Sequence, residues 1–386
     1  MASTLMPRSK PVLVYLVTED WYFLSHRLPM ARAALRAGYD VHVATNVVDG
    51  RADIESHGFT LHALNWTRGS ARPGDVLRIL GEIRALYKKL KPDIVHHVGV
   101  QPAVIGALAS VGLPIVKLHA MAGLGFAFTS KTTRAKAAGL AVRLLMRGLL
   151  NRPRNAVLVQ NPDDRAAVTA LGIAPERIFL IPGSGVDTES LTPMPEPSGQ
   201  MTVGYVGRLL ADKGVRSLVE AHAILRGRGR DIRFVLAGEP DPANPASIPD
   251  SEIAAWKQIA GLELLGHIDD IRPVWAMSHI AVLPSRREGL PKSLLEAAAC
   301  GRPIVATDVP GCREIARPDI NALLVPADDA AALAAAIDRL ASDAGLRKRF
   351  GAAGRMMVEE EFSERHIGRE IVALYAALLD RTAKPV

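Results

Sequence analysis

The sequence predicts two α/β domains, each with a doubly wound, Rossmann-like parallel sheet, facing each other across a cleft. Short apolar segments alternate with helical ones along most of the chain, and strands this apolar are typical of a parallel sheet covered on both faces. The alternation stops at Thr192–Gln200, a segment rich in Pro, Ser and Gly, and then starts again. A length of 386 residues is enough for two hydrophobic cores.

The first half contains seven predicted strands. They are Val12–Val17, Val41–Ala44, Leu61–Leu64, Ile94–Val98, Ile115–His119, Ala156–Gln160 and Ile178–Ile181. The helices expected between them include Leu24–Ala37, Val76–Leu90, Ala103–Val111 and a long basic helix at about Thr133–Leu150. Gly38 follows the first of these helices, where a glycine is a common helix end signal.

The second half repeats this pattern and then becomes helical. Its predicted strands are Thr202–Val206, Phe234–Ala237, Glu263–Leu265, Ile280–Leu283, Ile304–Ala306 and Leu323–Val325, and its last helices are Ala330–Ala341, Gly345–Glu360 and Ser363–Leu379. We therefore place an N-terminal domain at residues 1–193 and a C-terminal domain at residues 194–362, joined through Thr192–Gln200. The C-terminal helix in residues 363–386 is expected to pack back onto the N-terminal domain.

The composition is that of an ordinary globular protein, with 48% hydrophobic and 23% charged residues. No stretch approaches the roughly 18–20 apolar residues of a membrane span. The apolar run Val12–Val17 ends at Glu19 and Asp20, which favours a first strand over a signal peptide. The only cysteines, Cys300 and Cys312, lack the spacing of a metal site, which indicates a reducing cytoplasm and two core-filling side chains.

The positive charge is concentrated in the first half of the chain. Residues 1–193 hold 23 Lys and Arg against 14 Asp and Glu, whereas the rest holds 24 against 26. The predicted basic helix presents Lys136, Arg143 and Arg147 on one side, and Ala138, Val142, Leu145 and Leu149 on the other. Such a helix can lie on an anionic membrane surface, although a core-packed helix with a solvated basic face is the commoner case. Nucleic acid is not expected as a partner, because no recognition module or interleaved aromatic residues accompany the charge.

The stretch Pro284–Thr307 predicts a phosphate site. It combines the end of a buried strand, a polar loop and an amphipathic helix that ends before Gly301, with Pro291 in its first turn. The first backbone N–H groups of such a helix lack acceptors and can bind a phosphate. Glu288 in the loop and Glu296 in the helix are hydroxyl acceptors by this interpretation. The alternatives are the acid and base of a glycosidase, disfavoured by their different depths, and for Glu296 an exposed helix glutamate.

The stretch Gly204–Gly214 places two cations after another strand. Arg208 and Lys213 follow the strand end, where ligands of open α/β sheets lie, and together they can neutralise a leaving diphosphate. The alternative is two solvated surface cations.

Histidines give weaker signals in the first half. His26 and His119 are expected just past strand ends, where each can position an acceptor or serve as a hydrogen-bonded structural residue. His96 and His97 are expected to alternate across a strand without binding metal. The sequence contains no DxD or HExxH motif and no Cys/His cluster, so no metal site is predicted. A dehydrogenase is disfavoured because Gly123-Leu124-Gly125 lacks the third glycine of a dinucleotide fingerprint, with Phe128 in its place, and a P-loop function because no GxxxxGK[ST] motif is present.

With these residues in place, Val203–Glu361 resembles the retaining glycosyltransferases of family 4, which have the GT-B fold. VGRLLADKGV, EGLPKSLLEAAACGRPIVATDVPGCREI and NALLVPADDAAAL follow one another in the family's order, and EGLPKSLLE matches its E-x7-E signature. The first half is similar to a branch that builds bacterial surface polysaccharides and glycans on lipid carriers, through FLSHRLPMARAALRAGYDV, AMAGLGFAFTSK and VLVQNPDDR. It departs from many members in lacking a glycine pair in the first βα loop, Thr18–Leu24.

The resemblance assigns roles to these positions. Arg208 and Lys213 would bind the donor diphosphate, Glu288 the donor sugar and Glu296 the nucleotide ribose, while the family's N-domain histidine maps onto His119. Backbone amides near Leu290–Leu294 would hold the phosphates, and the loop Gly266–Asp270 would lie near the base. The remaining candidate substrate-binding residues are Gly207, His267, Ile268, Gly289, Leu290, Pro291, Lys292, Ser293, Leu294 and, in the first domain, His26.

The implied function is a metal-independent retaining glycosyltransferase without a cofactor. It would move a hexose or N-acetylhexosamine from a nucleotide sugar, commonly UDP-linked in the branch, to a polyprenyl-diphosphate-linked saccharide at the inner face of the cytoplasmic membrane. Two alternatives remain. A sugar-nucleotide epimerase would need acid/base carboxylates clustered around the sugar, and a non-catalytic sugar-nucleotide-binding subunit would not need Arg208, Lys213, Glu288 and Glu296 together.

Overall fold

The computed structural model describes residues 10–66, 72–121, 144–242 and 244–383. Contacts within the chain define two units. Unit 1 comprises the residues up to Ser184 together with those from Glu364 onward, and unit 2 is Gly185–Ser363. The chain therefore passes from unit 1 into unit 2 at Ser184, ahead of the expected boundary at residue 193.

The segment Thr192–Gln200 is held by unit 2. Arg302 Nη2 donates a hydrogen bond to the Pro195 carbonyl at 2.9 Å, and Arg347 Nε donates to Glu196 Oε1 at 2.9 Å. Composition alone does not distinguish a free linker from a proline-rich segment that is fixed by such hydrogen bonds.

Unit 1 is built around a seven-stranded sheet in the order β3-β2-β1-β4-β5-β6-β7, with every neighbouring pair parallel. The strands are β1 (Val12–Glu19), β2 (Asp40–Asn46), β3 (Thr60–Ala63), β4 (Ile94–Val98), β5 (Val116–Ala120), β6 (Asn155–Val159) and β7 (Ile178–Leu180). Strands β4, β5 and β6 are buried along their whole length, as their apolar sequences predict.

The helices of unit 1 cover both faces of this sheet. They are α1 (Asp20–His26), α2 (Leu28–Arg36), α3 (Arg51–Ser56), α4 (Pro73–Leu90), α5 (Val100–Ala109), α6 (144–150, within the described residues) and α7 (Pro162–Ala170). The predicted single helix Leu24–Ala37 is wrong: it is divided between α1 and α2 at Arg27, which has φ −129°. Pro29 explains the break, because it has no N–H group with which to continue α1.

Unit 2 has a six-stranded parallel sheet in the order β10-β9-β8-β11-β12-β13. The strands are β8 (Thr202–Val206), β9 (Arg233–Ala237), β10 (Leu262–Gly266), β11 (Ile280–Leu283), β12 (Ile304–Thr307) and β13 (Ala322–Val325). In both units the strand order reverses beside the first strand, between β1 and β4 and between β8 and β11. Ligands of doubly wound sheets bind at the carboxyl ends of the strands at such switch points.

The helices of unit 2 complete the doubly wound arrangement. They are α8 (Val215–Gly227), α9 (Asp250–Trp256), α10 (Arg272–Met277), α11 (Lys292–Ala299), α12 (Cys312–Ile315), α13 (Ala330–Ser342) and α14 (Ala344–Met357). Cys300 and Cys312 are both buried, which confirms their prediction as core residues, and burial raises the pKa of the Cys300 thiol to about 11. None of the helices in the described part of the chain has the length and hydropathy needed to cross a membrane.

The last helix, α15 (Glu364–Ala383), belongs to unit 1 and packs against α2. Its buried residues Ile367, Ile371 and Tyr375 lie in the same core as the strands β1 and β4. The Tyr375 hydroxyl hydrogen-bonds to the Tyr15 hydroxyl at 2.8 Å and to His96 Nδ1 at 2.7 Å. A buried polar contact therefore joins the C-terminal helix to the two strands at the switch point.

We predict that Tyr375→Phe destabilises unit 1 by about 2–4 kcal/mol, because it leaves the buried Tyr15 and His96 without their partner. Equilibrium unfolding in urea measures the change. The matched control is Tyr39→Phe, whose ring lies 5.8 Å from that of Tyr375, and which should change the free energy of unfolding by less than about 0.5 kcal/mol. Equal losses in the two variants would contradict the assignment.

Candidate functional site

The carboxyl ends of β8 and β11 meet at the switch point of unit 2. Gly214, which precedes α8, has φ 69°, and a Cβ atom there would lie 1.9 Å from the Pro284 carbonyl oxygen that follows β11. Only glycine permits this approach. The approach brings Lys213 next to the loop that connects β11 to α11.

Lys213 and Glu288 form an ion pair across this contact. Lys213 Nζ donates to Glu288 Oε1 at 2.6 Å, and the same oxygen accepts from Ser285 Oγ at 2.6 Å. The Glu288 side chain is only 8% exposed and that of Lys213 24%. An ion pair this well shielded is screened weakly by salt, so it fixes both side chains. The structure thus brings together two of the predicted site residues.

Arg208 lies after β8 and has a carboxylate partner that the sequence analysis missed. Its Nη1 atom is 2.6 Å from Asp241 Oδ2, and its carbonyl accepts from the buried Tyr205 hydroxyl at 2.9 Å. Asp241 lies in the loop that follows β9, at the same edge of the sheet. Arg208 is therefore more than a solvated surface cation, because it forms an ion pair with Asp241, although its side chain is 44% exposed.

The start of α11 presents backbone N–H groups. Pro291 is the N-cap residue and no side chain caps the helix. The first N–H groups of an α-helix have no acceptor within it, which leaves those of Lys292 and Ser293 oriented toward the loop. The amide of Leu294, part of the predicted phosphate contact, instead donates to the Pro291 carbonyl at 3.2 Å. Leu290 and Gly289 precede this turn and are half-buried.

Glu296 lies one turn into α11 and is buried, so the alternative of an exposed helix glutamate is wrong. Burial raises the pKa of its carboxyl group, and Lys292, whose Nζ atom is 3.6 Å away, opposes this effect. A buried carboxylate that is paired with one exposed lysine has further oxygen lone pairs with which to accept hydroxyl hydrogen bonds from a ligand.

The loops after β8, β9 and β10 are hydrogen-bonded in a row. The Gly207 amide donates to the Ala237 carbonyl at 2.9 Å, and the Gly238 amide donates to the Gly266 carbonyl at 2.7 Å. His267 follows Gly266, is 69% exposed, and its Nε2 atom is 3.1 Å from Asp269. The exposed His267 and half-buried Ile268 therefore border the same sheet edge as Arg208.

His119 differs from the expectation. It lies within β5 and not past its end, and it is completely buried. Asn155 uses its amide group to donate to two carbonyls, so its Oδ1 atom accepts from His119 Nε2 at 2.9 Å. His119 Nδ1 then accepts from His97 Nδ1 at 3.1 Å. Burial lowers the pKa of His119 to about 4, and these contacts make it a neutral residue that joins three strands.

His26 is the last residue of α1 and does not directly follow β1. It is half-buried, its ring stacks on that of Tyr22 with centroids 4.4 Å apart, and its Nδ1 atom lies 2.6 Å from Ser25 Oγ. His96 and His97 are both buried within β4, bonded to Tyr375 and Tyr87 respectively.

The predicted basic helix is described only in part. Lys136 and Arg143 lie outside the described residues, whereas Arg147 is exposed on α6. Leu144 and Leu145 are 60% and 41% exposed, whereas Met146, Leu149 and Leu150 are buried. The exposed side of α6 therefore mixes leucines with Arg147.

Within the described part of the chain, no group of three or more His, Cys, Asp or Glu side chains is placed to hold a metal ion. The charged groups at the switch point of unit 2 include Lys213 and Arg208 with their carboxylate partners, the ion pair of Arg287 with Asp212, and the start of α11. This arrangement is suited to an anionic ligand that carries hydroxyl groups.

Two family models match the chain. The model described as glycosyl transferases group 1 matches residues 200–343, and the model described as glycosyl transferase 4-like matches residues 13–161. The first match contains the switch point of unit 2, and the second contains most of the strands of unit 1.

Known proteins agree with these matches. The capsular polysaccharide biosynthesis glycosyltransferase CapM of Staphylococcus aureus is 24% identical, over 92% of this chain and 96% of CapM. The N,N'-diacetylbacillosaminyl-diphospho-undecaprenol alpha-1,3-N-acetylgalactosaminyltransferase of Campylobacter jejuni is 24% identical, over 84% of this chain and 90% of its own. The structure of Anabaena HepE in complex with UDP and glucose superposes with a TM-score of 0.77 at 16% identity, covering 95% and 99% of the two chains. The fold and the family matches define the chain as a glycosyltransferase with the GT-B fold.

We predict that Glu296→Gln raises the Tm at pH 7.5. A carboxyl group whose pKa is raised by folding contributes stability below its usual pKa of 4.5, and this contribution is lost as the pH rises through the raised pKa. The glutamine side chain has the shape of the carboxyl group and cannot ionise. The gain in Tm over the wild type should therefore shrink as the pH falls toward 4.5. Thermal unfolding of both proteins between pH 4.5 and 8 measures this difference in Tm. Glu220→Gln, at an exposed position of α8, is the control, and a lower Tm for Glu296→Gln at pH 7.5 would refute the assignment.

Proposed function

We propose that the protein is a retaining, metal-independent glycosyltransferase of family 4. It transfers a hexose or N-acetylhexosamine from a UDP-sugar to a polyprenyl-diphosphate-linked saccharide during the assembly of a surface polysaccharide or glycan. The observation that carries the proposal is the 2.6 Å contact between Lys213 and Glu288, which brings a cation to the loop that leads into α11. The complex of HepE with UDP supports the choice of nucleotide.

The donor binds to unit 2 in this proposal. Lys213, Arg208 and the N–H groups at the start of α11 bind the diphosphate, while Glu288 and Glu296 accept hydrogen bonds from the sugar and the ribose. Lys213 and Arg208 exchange part of their contact with Glu288 and Asp241 for the phosphate oxygens. The loop of His267 and Ile268 contacts the base.

The chemistry consists of stabilising a departing UDP. As the bond from the anomeric carbon to the diphosphate breaks, negative charge accumulates on the phosphate oxygen that leaves. Fixed cations and oriented amides stabilise that charge without reorganising, which is the largest contribution to many enzymatic rates. No side chain of the site is proposed as a nucleophile, and His119 is assigned to the fold rather than to the acceptor.

The acceptor binds to unit 1 in this proposal. The printed name of the Campylobacter jejuni relative gives it a diphospho-undecaprenol substrate, and an Escherichia coli relative that is 27% identical over 69% of this chain is named for a diphosphoundecaprenol acceptor. The excess of positive charge in residues 1–193 suits both an anionic lipid carrier and the membrane that contains it. We propose that the protein binds the inner face of the cytoplasmic membrane through α6 and the preceding basic residues, including Lys136 and Arg143.

We predict that Lys213→Ala and Arg208→Ala each lower the rate of transfer by about 10²–10³-fold, the usual cost of removing one stabilising group. Transfer from UDP-sugars to lipid-linked acceptors is measured in the presence of EDTA. Arg216→Ala is the matched control, because Arg216 is an exposed cation at the start of α8 that is bonded to Glu252. This control should keep its rate within about twofold of the wild type.

A second variant separates catalysis from folding. Lys213→Ala leaves the Glu288 carboxylate shielded and unpaired, so the double variant Lys213→Met/Glu288→Gln removes both charges together. We expect it to fold with a Tm close to that of the wild type and to lack transfer activity. Wild-type transfer in a folded double variant would contradict the proposal.

We predict that Leu144→Ser/Leu145→Ser weakens binding to vesicles of anionic phospholipid at least about tenfold, because each leucine loses about 1.5–3 kcal/mol of burial in the bilayer interface. Co-sedimentation with vesicles measures binding. Ile320→Ser, at a position of unit 2 that is 56% exposed, is the control for the loss of surface hydrophobicity. Unchanged binding of the double variant would exclude α6 as a membrane contact.

A further inference from the structure

Arg27 is a buried cation between α1 and α2. Its side chain is 1% exposed, and its Nη1 atom donates to the His26 carbonyl at 3.0 Å and to Ser184 Oγ at 2.8 Å. Its Nε atom is buried and has no hydrogen-bond partner among the described residues. Both of its partners are neutral oxygen atoms.

No carboxylate compensates this charge. None of the described residues forms an ion pair with Arg27, and the sequence outside them contains no aspartate or glutamate. The titratable groups that feel its charge are Tyr15, His96 and Tyr375. Burial raises the pKa of both tyrosines, and burial and then Arg27 lower the pKa of His96 well below its usual value, so all three are uncharged at neutral pH.

Another buried arginine of the described chain, Arg347, shows the usual solution. Its Nε atom donates to Glu196 Oε1 at 2.9 Å. Because a guanidinium group does not lose its proton in a protein, an isolated buried arginine is strongly unfavourable. Arg27 therefore lacks the ion pair that Arg347 has.

The position of Arg27 indicates what supplies that counter-ion. It is separated from β1 by the short helix α1, and its charge acts on Tyr15 of β1 and His96 of β4, the two strands at the switch point of unit 1. A ligand is expected at this place in a doubly wound sheet. In unit 2, the corresponding connections after β8 and β11 carry Lys213 and Glu288, so the same place is a polar site there as well.

We propose that Arg27 binds a phosphate group of the diphosphate in the lipid-linked acceptor. This inference rests on the proposed function and adds a specific binding residue in unit 1. Nε and the second terminal nitrogen of a guanidinium group present two parallel N–H groups, which match two phosphate oxygens.

Ser184 provides the route to the guanidinium group. It is half-buried, so Arg27 lies one residue beneath the surface of unit 1. Gly183 and Gly185 on either side of it have φ 68° and 80°, and glycines can change conformation there without a steric penalty from Cβ. Displacement of Ser184 opens this route, and the phosphate then binds Nε and the second terminal nitrogen of Arg27.

The first experiment measures Tm with inorganic pyrophosphate as the probe, in saturating UDP to occupy unit 2. At a hundredfold excess over Kd, pyrophosphate should raise the Tm of the wild type by roughly 5–10 °C. Arg27→Met should have a higher Tm than the wild type without pyrophosphate and show no shift with it. The exposed Arg32→Met on α2 should respond like the wild type. A lower Tm for Arg27→Met than for the wild type, or an equal pyrophosphate shift in these two proteins, would show that Arg27 only stabilises the fold and would overturn the proposal.

The second experiment separates the acceptor from the donor as the source of the phosphate. In transfer assays, Arg27→Met should raise KM for the diphosphate-linked acceptor at least tenfold while KM for the UDP-sugar stays within twofold. A rise confined to the UDP-sugar would place the donor at Arg27 and overturn the assignment. If the wild type transfers no sugar, the proposed function fails, whereas the pyrophosphate shift still decides whether Arg27 binds a phosphate.

Discussion

The ion pair between Lys213 and Glu288 is the interaction on which the site of unit 2 depends. It joins the connection after β8 to the connection after β11, and Gly214 allows the two backbones to approach closely enough for it to form. The position of the α11 start follows from it, because Glu288 lies in the loop that leads directly into that helix. An ion pair between Arg287 and Asp212 joins the same two connections. Together these contacts hold a cation, a carboxylate and a set of amide groups in place.

The cations at the switch points of the two units differ in their partners. In unit 2, Lys213 and Arg208 have the carboxylate partners Glu288 and Asp241, so these charges are balanced. In unit 1, the described partners of Arg27 are neutral. In the proposed function, a donor phosphate therefore competes with carboxylates in unit 2, whereas a phosphate at Arg27 competes with none.

Much of the fold could be predicted from the sequence, because the strands are continuous apolar runs that only a covered parallel sheet accommodates. The contact of Lys213 with the Glu288 loop agrees with the sequence analysis, which placed both residues after strand ends as parts of one site. Asp241, Arg27 and the burial of His119 could not be predicted, since they depend on which strands are neighbours in the sheet. Pro29 did carry a signal for the break between α1 and α2, and the amphipathic pattern on both sides of it concealed that signal.

The return of α15 to unit 1 has a consequence for the order of biosynthesis. Unit 2 is complete once Ser363 has left the ribosome, whereas the core of unit 1 lacks Ile367, Ile371 and Tyr375 until α15 has been translated. Because domains generally fold as units during translation, the inserted second unit is expected to fold first, although the N-terminal sheet is translated first. Nascent chains with an open N-terminal core are then the species that chaperones must protect.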